Sequence, residues 1–97
     1  MDFTVSCTAG RIHLTGEITI YAAAALKEQL FALIEPGQTV DVDASAVTML
    51  DSAGLQLLLM LRKTAGGALR VFAPSEVVRN VFTMCGLQSL IATASAV

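Results

Sequence analysis

The chain has no tryptophan, one tyrosine, four phenylalanines and only 14% charged residues, where a soluble domain carries about 25%. So little aromatic surface leaves no platform on which single-stranded bases could stack. Six basic residues stand against eight acidic ones, for a formal charge of −2, and the basic ones form no cluster. A sequence-independent nucleic-acid binder needs a basic footprint to displace counterions, so nucleic acid is set aside as a partner. No apolar run approaches the ~20 residues that cross a bilayer, and direct membrane insertion is not expected. The chain opens Met1-Asp2-Phe3, acidic where a signal peptide is basic. Together these point to the cytoplasm, where Cys7 and Cys85 are expected as free thiols.

Apolar residues, by contrast, make up 55% of the chain, which excludes intrinsic disorder. Fifteen of them are alanines, which bury little area, so the mean hydropathy of +0.70 overstates the core. Ninety-seven residues suffice for one core, hence a single domain over residues 1–97.

Phe3, Val5 and Cys7 alternate with Thr4, Ser6 and Thr8, as in a half-buried strand. Ala9-Gly10 signals a turn and Arg11 to Thr15 alternates again, so the opening reads as an antiparallel hairpin. From about Tyr21 to Glu35 the period becomes helical, with Leu26, Leu30, Leu33 and Ile34 on one face and Pro36-Gly37 as the stop. Thr39 to Asp43 reads as a short strand and Ser45 to Met49 as a loop. A second helix is expected from about Ser52 to Ala65, closed by Gly66-Gly67. Ala68 to Ala73 reads as a strand, and Pro74-Ser75 opens a third helix with Val77, Val78, Val81, Phe82 and Cys85 as its buried stripe. Leu90-Ile91 is expected as a last short strand, and the tail from Ala92 to Val97 as loose at its end. Strands alternating with helices after a hairpin imply an α/β fold. The expected architecture is a mixed, mostly parallel sheet of four or five strands, with helices mainly on one face.

Between Leu55 and Leu61 every residue but Gln56 is apolar. Such a helix is either central or shares a face with another protein. At its start, Asp51 occupies the N-cap position and Ser52 the first helical one. One account is local: Asp caps free N–H groups, and Gly54 allows close packing. The other is a phosphorylation site, because helix N–H groups and the helix dipole favour an anion there. Against it, Asp51, and Asp43 at the end of the preceding strand, are expected close enough to repel a phosphate.

The run from Val42 through Asp43-Ala44-Ser45 to Asp51-Ser52-Ala53-Gly54-Leu55 resembles the signature of STAS domains, the anti-sigma factor antagonists and their relatives. In that family a strand ends Asp-x-Ser, a short loop follows, and Asp-Ser-x-Gly-Leu opens a helix. Leu14-Thr15-Gly16-Glu17-Ile18 resembles the family's second strand and turn, and Gly66 to Val71 its fourth strand. The likeness covers nearly the whole chain. It implies a partner-switching protein whose motif serine, here Ser52, is phosphorylated by a kinase that doubles as an anti-sigma factor. The unmodified form binds the kinase, the phosphorylated form lets go, and a phosphatase resets the switch. It further implies a partner surface that includes Asp51, Ala53, Gly54, Gly16, Glu17, Thr19 and Asp43. Ala53 stands where many relatives have a second serine, and Thr19 where many have an aspartate. The stretch Thr19-Ile20-Tyr21-Ala22 is more similar to STAS proteins that accompany bacterial chemotaxis systems. An alternative class within the family is a constitutive subunit of a bacterial lipid-transport ATPase.

Other chemistry finds little support. His13 and Cys7 give two metal ligands across the hairpin where a structural zinc needs four. No glycine-rich phosphate loop is present. Asp43 and Asp51 as an acid–base pair lack a polar pocket around them. The expectation is a protein without catalytic activity, cofactor or metal.

Overall fold

The computed structural model describes residues 3–66 and 68–91. The chain runs β1 (Phe3–Thr8), β2 (Arg11–Ile18), α1 (Ala23–Phe31), β3 (Val40–Leu50), α2 (Ser52–Ala65), β4 (Leu69–Phe72) and α3 (Glu76–Met84), then a 3-10 turn, Gln88–Leu90. The strands lie in the order β1-β2-β3-β4. β1 and β2 are antiparallel, and β2, β3 and β4 are parallel. This is the mixed sheet expected from the alternation of elements.

The hairpin closes through Ala9 (φ 53°) and Gly10 (φ 79°). Two consecutive left-handed residues make a type I′ turn, whose twist matches that of the flanking strands. Beyond it, period-two alternation gives the sheet two different faces. Ile12 and Leu14 of β2, Val40, Val42 and Ala44 of β3, and Leu69 and Val71 of β4 are buried in one core. Leu26 and Leu30 of α1, Leu55, Leu58 and Leu61 of α2, and Val78 and Phe82 of α3 complete that core. The opposite face is polar. Arg70 grips Asp41 through two hydrogen bonds, Nε to Oδ1 at 2.9 Å and one terminal nitrogen to Oδ2 at 3.0 Å. His13 Nδ1 lies 3.6 Å from Asp43 Oδ2. The Arg11 guanidinium stacks 3.7 Å from the centre of the Phe72 ring.

Four expectations need correction. Ser45 to Met49 belongs to β3 and is not a loop. Burial along β3 has period two to Ala44, then period three through Val47 and Leu50. The cause lies in the pairing with β2, where the register shifts between His13 and Thr15 and again between Gly16 and Glu17. Each shift places an extra residue on β3, so strict alternation is lost although the ladder continues. Second, α1 starts at Ala23 and ends at Phe31. Glu35, before Pro36, is disfavoured in helical geometry, and Leu33 is exposed while Ile34 packs only partly on the core.

Third, Cys85 is exposed. Gly86, at φ 71°, turns the chain, and the Leu87 N–H donates to the Phe82 carbonyl. Leu87 thereby packs against the core, and the Cys85 side chain stays outside. Fourth, Leu90-Ile91 makes no strand: Leu90 ends the 3-10 turn and Ile91 forms a single parallel bridge to Val71. The Ala92 to Val97 tail lies outside the described residues, as does Gly67.

Ala9 holds a left-handed conformation that costs a Cβ-bearing residue about 1–2 kcal/mol and that asparagine tolerates better. Ala9→Asn is expected to stabilise the domain by about 0.5–1 kcal/mol, a rise of several degrees in melting temperature for this size. Thermal unfolding followed by circular dichroism reads it; an unchanged or lower midpoint contradicts this account of the turn.

Candidate functional site

α2 begins where its sequence says it should. Asp51 is the N-cap in extended geometry, and its Oδ1 accepts from the Gly54 N–H at 2.8 Å. That is the capping bond a short carboxylate makes with the third helical residue. The other oxygen, Oδ2, accepts from the Ile20 N–H at 2.9 Å. One side chain therefore ties the first turn of α2 to the loop after β2. These N–H donors, with Gly54 foremost, hold the Asp51 carboxyl below its ordinary value despite the opposing effect of partial burial. A Cβ built on Gly54 would overlap the Ile18 carbonyl oxygen, so the helix meets the end of β2 backbone to backbone.

Ser52 is the first residue of α2 and is exposed. No charged residue lies in that first turn; Arg62 and Lys63 sit in the last one, where they complement the dipole. The neighbouring surface is apolar. Ile20 is 63% exposed, Tyr21 80% and Met49 53%. Beside Asp51 lies a shallow cavity of about 230 Å³ lined by Thr19, Thr48, Met49, Leu50, Asp51 and Val77.

The structure brings together Asp51, Ser52, Ala53, Gly54 and the Thr19–Ile20 turn. Gly16 and Glu17 are half-buried in β2, paired with Val47 and Met49. Thr19 departs from the expected partner-facing position: it is only 7% exposed. The exposed residues of that turn are its neighbours Ile20 and Tyr21.

Asp43 is also elsewhere. It pairs with His13, five residues before Ile18, whose partner Leu50 precedes Asp51. At ~3.3 Å per residue that separation is about 16 Å along the sheet. Asp43 Oδ1 accepts from the Ser45 N–H at 2.9 Å and from its hydroxyl at 2.7 Å. The Ser45 backbone bond is the main cause of a lowered Asp43 pKa. The Asp-x-Ser of the motif thus bonds to itself within β3, remote from Ser52. Cys7 pairs with Ile12 and Ser6 with His13, so Cys7 and His13 point to opposite faces of the sheet. Met49 and Val77, which line the cavity, were not singled out as partner residues from the sequence. Met49 exposes itself because of the period-three stretch of β3, and Val77 arrives from α3.

Two outcomes follow from this geometry. Gly54→Ala is expected to destabilise the domain by at least ~2 kcal/mol, because backbone must move to admit the methyl group. Urea unfolding measures it, and a loss under ~0.5 kcal/mol would contradict the close approach. Asp51→Asn keeps one acceptor but loses the charge and the second accepted bond, at a cost of about 0.5–1.5 kcal/mol at neutral pH. A depressed carboxyl pKa contributes stability that is present above the unfolded value, near 3.8, and lost as pH falls through the folded value. The gap between wild type and Asp51→Asn should therefore close as the pH is taken below about 4. Urea midpoints at pH 7 and pH 3 test this; a constant gap contradicts it.

Comparison with known proteins agrees with this arrangement. The family model described as "Mlab, STAS domain" matches residues 2–92. An anti-sigma-B factor antagonist from Bacillus subtilis is 31% identical over 84 residues, 84% of this chain and 77% of that protein. The fold is shared with the anti-sigma factor antagonist SpoIIAA in its unphosphorylated form, at TM-score 0.72 and 22% identity, covering 98% of this chain and 91% of the other. The phosphorylated form of SpoIIAA, a Bacillus cell fate determinant, superposes at TM-score 0.66, again at 22% identity, covering 98% and 95%. With the family matched over nearly its whole length and the Asp-Ser-x-Gly motif opening α2, this chain belongs to the STAS domain family.

Proposed function

We propose that the chain is a non-catalytic, partner-switching regulator, and that phosphorylation of Ser52 controls its binding to a protein of the anti-sigma, serine-kinase type. The observation that carries this reading is the setting of Ser52: an exposed hydroxyl on the first residue of α2, flanked by the exposed Ile20, Tyr21 and Met49. The relatedness to an anti-sigma-B factor antagonist supports it. A phosphatase resets the switch, and the chain acts in the cytoplasm without nucleotide, metal or nucleic acid. Among the described residues no helix is long and apolar enough to cross a membrane.

A phosphate adds about −1.5 to −2 charges at neutral pH. In the free domain the helix N-terminus offsets part of that, by about 0.3–1 kcal/mol at an exposed site, while Asp51 opposes it. Water solvates the remainder and the fold survives. Against a partner docked on Ile20, Tyr21 and Met49 the same charge is desolvated, and the first turn of α2 holds no cation to receive it. A buried, unpaired charge costs several kcal/mol, and each 1.4 kcal/mol is tenfold in affinity.

Ser52→Asp should keep the fold and weaken partner binding at least tenfold, roughly 1.4 kcal/mol or more. Ser52→Ala should bind normally and resist release. The measurement is titration against any serine kinase of the anti-sigma type encoded in the same genome, with mass spectrometry for phosphate on Ser52. If Ser52 is never modified and both variants bind alike, the switch is wrong, and a constitutive subunit of a transport ATPase takes its place. The purified chain should hydrolyse neither ATP nor GTP; turnover abolished by substituting Asp43 or Asp51 would overturn the non-catalytic reading.

A further inference from the structure

The two edges of the sheet are finished differently. β4 is four residues long, Val71 on it is bridged by Ile91, and Arg70 is bound to Asp41. Past its end the Ser75 N–H donates to the Ala44 carbonyl, and α3 continues against β3. β1 has six residues, Phe3–Thr8, and pairs with β2 without a register shift. Among the described residues no strand pairs with its outer side. Natural proteins blunt an open edge with charge, proline, a bulge or shortness. Phe-Thr-Val-Ser-Cys-Thr contains no charge and no proline.

The backbone groups on that outer side can be assigned. A two-residue turn closes on a hydrogen-bonded pair, here Thr8 with Arg11. Bonding then alternates along an antiparallel pair. Thr4, Ser6 and Thr8 direct their N–H and C=O groups to β2, and Phe3, Val5 and Cys7 direct theirs outward.

We propose that this edge pairs with the same edge of a second copy of the chain, antiparallel, about a two-fold axis at Val5. Opposed residues share a face of the sheet, so odd positions must meet odd positions. The register about Val5 sets Phe3 opposite Cys7, Thr4 opposite Ser6 and Val5 opposite itself. It uses all the outward groups of Phe3, Val5 and Cys7. On the helix side it joins an apolar row in which Phe3 and Val5 are half-buried and Cys7 exposed in one copy. On the other side it joins hydroxyl-bearing residues. A second copy suits the edge because the two-fold register satisfies every outward group with its own equivalents, and a strand without charge does not repel itself across the axis. A six-residue strand is about 20 Å long, and its pairing buries less than the ~1,200 Å² of stable complexes. The dimer is therefore weak and exchanging.

Sedimentation velocity from about 10 μM to 1 mM, a range suited to an interface of this size, should show the wild type moving from monomer to dimer. Over the same range the amides of Phe3, Val5 and Cys7 should gain hydrogen-exchange protection, while Thr4, Ser6 and Thr8 are protected throughout. Val5→Lys and Val5→Glu each place like charges across the axis and should remain monomeric; an equal mixture should recover a dimer, visible by native mass spectrometry. Cys7→Pro removes an outward donor at an exposed position and should weaken association roughly tenfold, which guards against a Val5 variant that fails to fold. A wild type that stays monomeric to the highest concentration overturns the proposal. So does a folded Val5→Lys that associates like wild type, or protection of Phe3, Val5 and Cys7 that appears only when a different protein is added.

Discussion

The contact on which the site depends is one of backbone on backbone. Gly54 in the first turn of α2 lies against the Ile18 carbonyl, at a separation no side chain can share, and Asp51 fastens the same turn to Ile20. These interactions fix the angle at which α2 leaves the sheet. That angle sends Leu55, Leu58 and Leu61 into the core shared with Val42, Val71 and Phe82. It also leaves Ser52 outside. The burial of α2 and the exposure of Ser52 are two results of one constraint.

The sequence makes the elements with strong local signals legible. The bounds of α2 follow from Asp51 and Gly66, a capping carboxylate and a left-handed glycine at φ 76°, both of which act within one turn. The hairpin follows from alternation and from Ala9-Gly10. What is not legible depends on pairing between distant strands. The second half of β3 reads as loop because its burial period is three, and that period is set by where β3 carries an extra residue against β2. The same cause misplaces Asp43. Eight positions before Asp51 it reads as a neighbour of Ser52, whereas its β2 partner His13 stands five positions before Ile18, about 16 Å down the sheet. Thr19 was expected on the surface from the family's partner loop, and the turn instead presents Ile20 and Tyr21. Cys85 fits an apolar stripe by spacing, but Gly86 turns the chain after it and Leu87 packs on the core in its place.

The two faces of the sheet divide the work. The covered face supplies stability through aliphatic packing. On the open face Asp41, Asp43, Arg11, Arg70 and His13 satisfy one another or stack on Phe72. Exposed ion pairs of this kind add little energy, typically below about 1 kcal/mol each. They do keep that face wet and unattractive to apolar partners. Exposed apolar surface lies instead at the rim at the end of β3, on Met49, Ile20 and Tyr21.

Because Ser52 is the first residue of a helix whose opening turn is seated on β2, its backbone is already committed to helical geometry. An enzyme that reads substrates as extended peptides would first have to peel that turn from Ile18 and surrender the Asp51 cap. An enzyme that modifies Ser52 in the folded domain must accept a convex, helical substrate and find it by the surrounding surface. Short synthetic peptides spanning Asp51 to Leu55 would lack the feature being recognised. For such an enzyme, substrate choice at this serine would be a property of tertiary structure, not of the motif's letters.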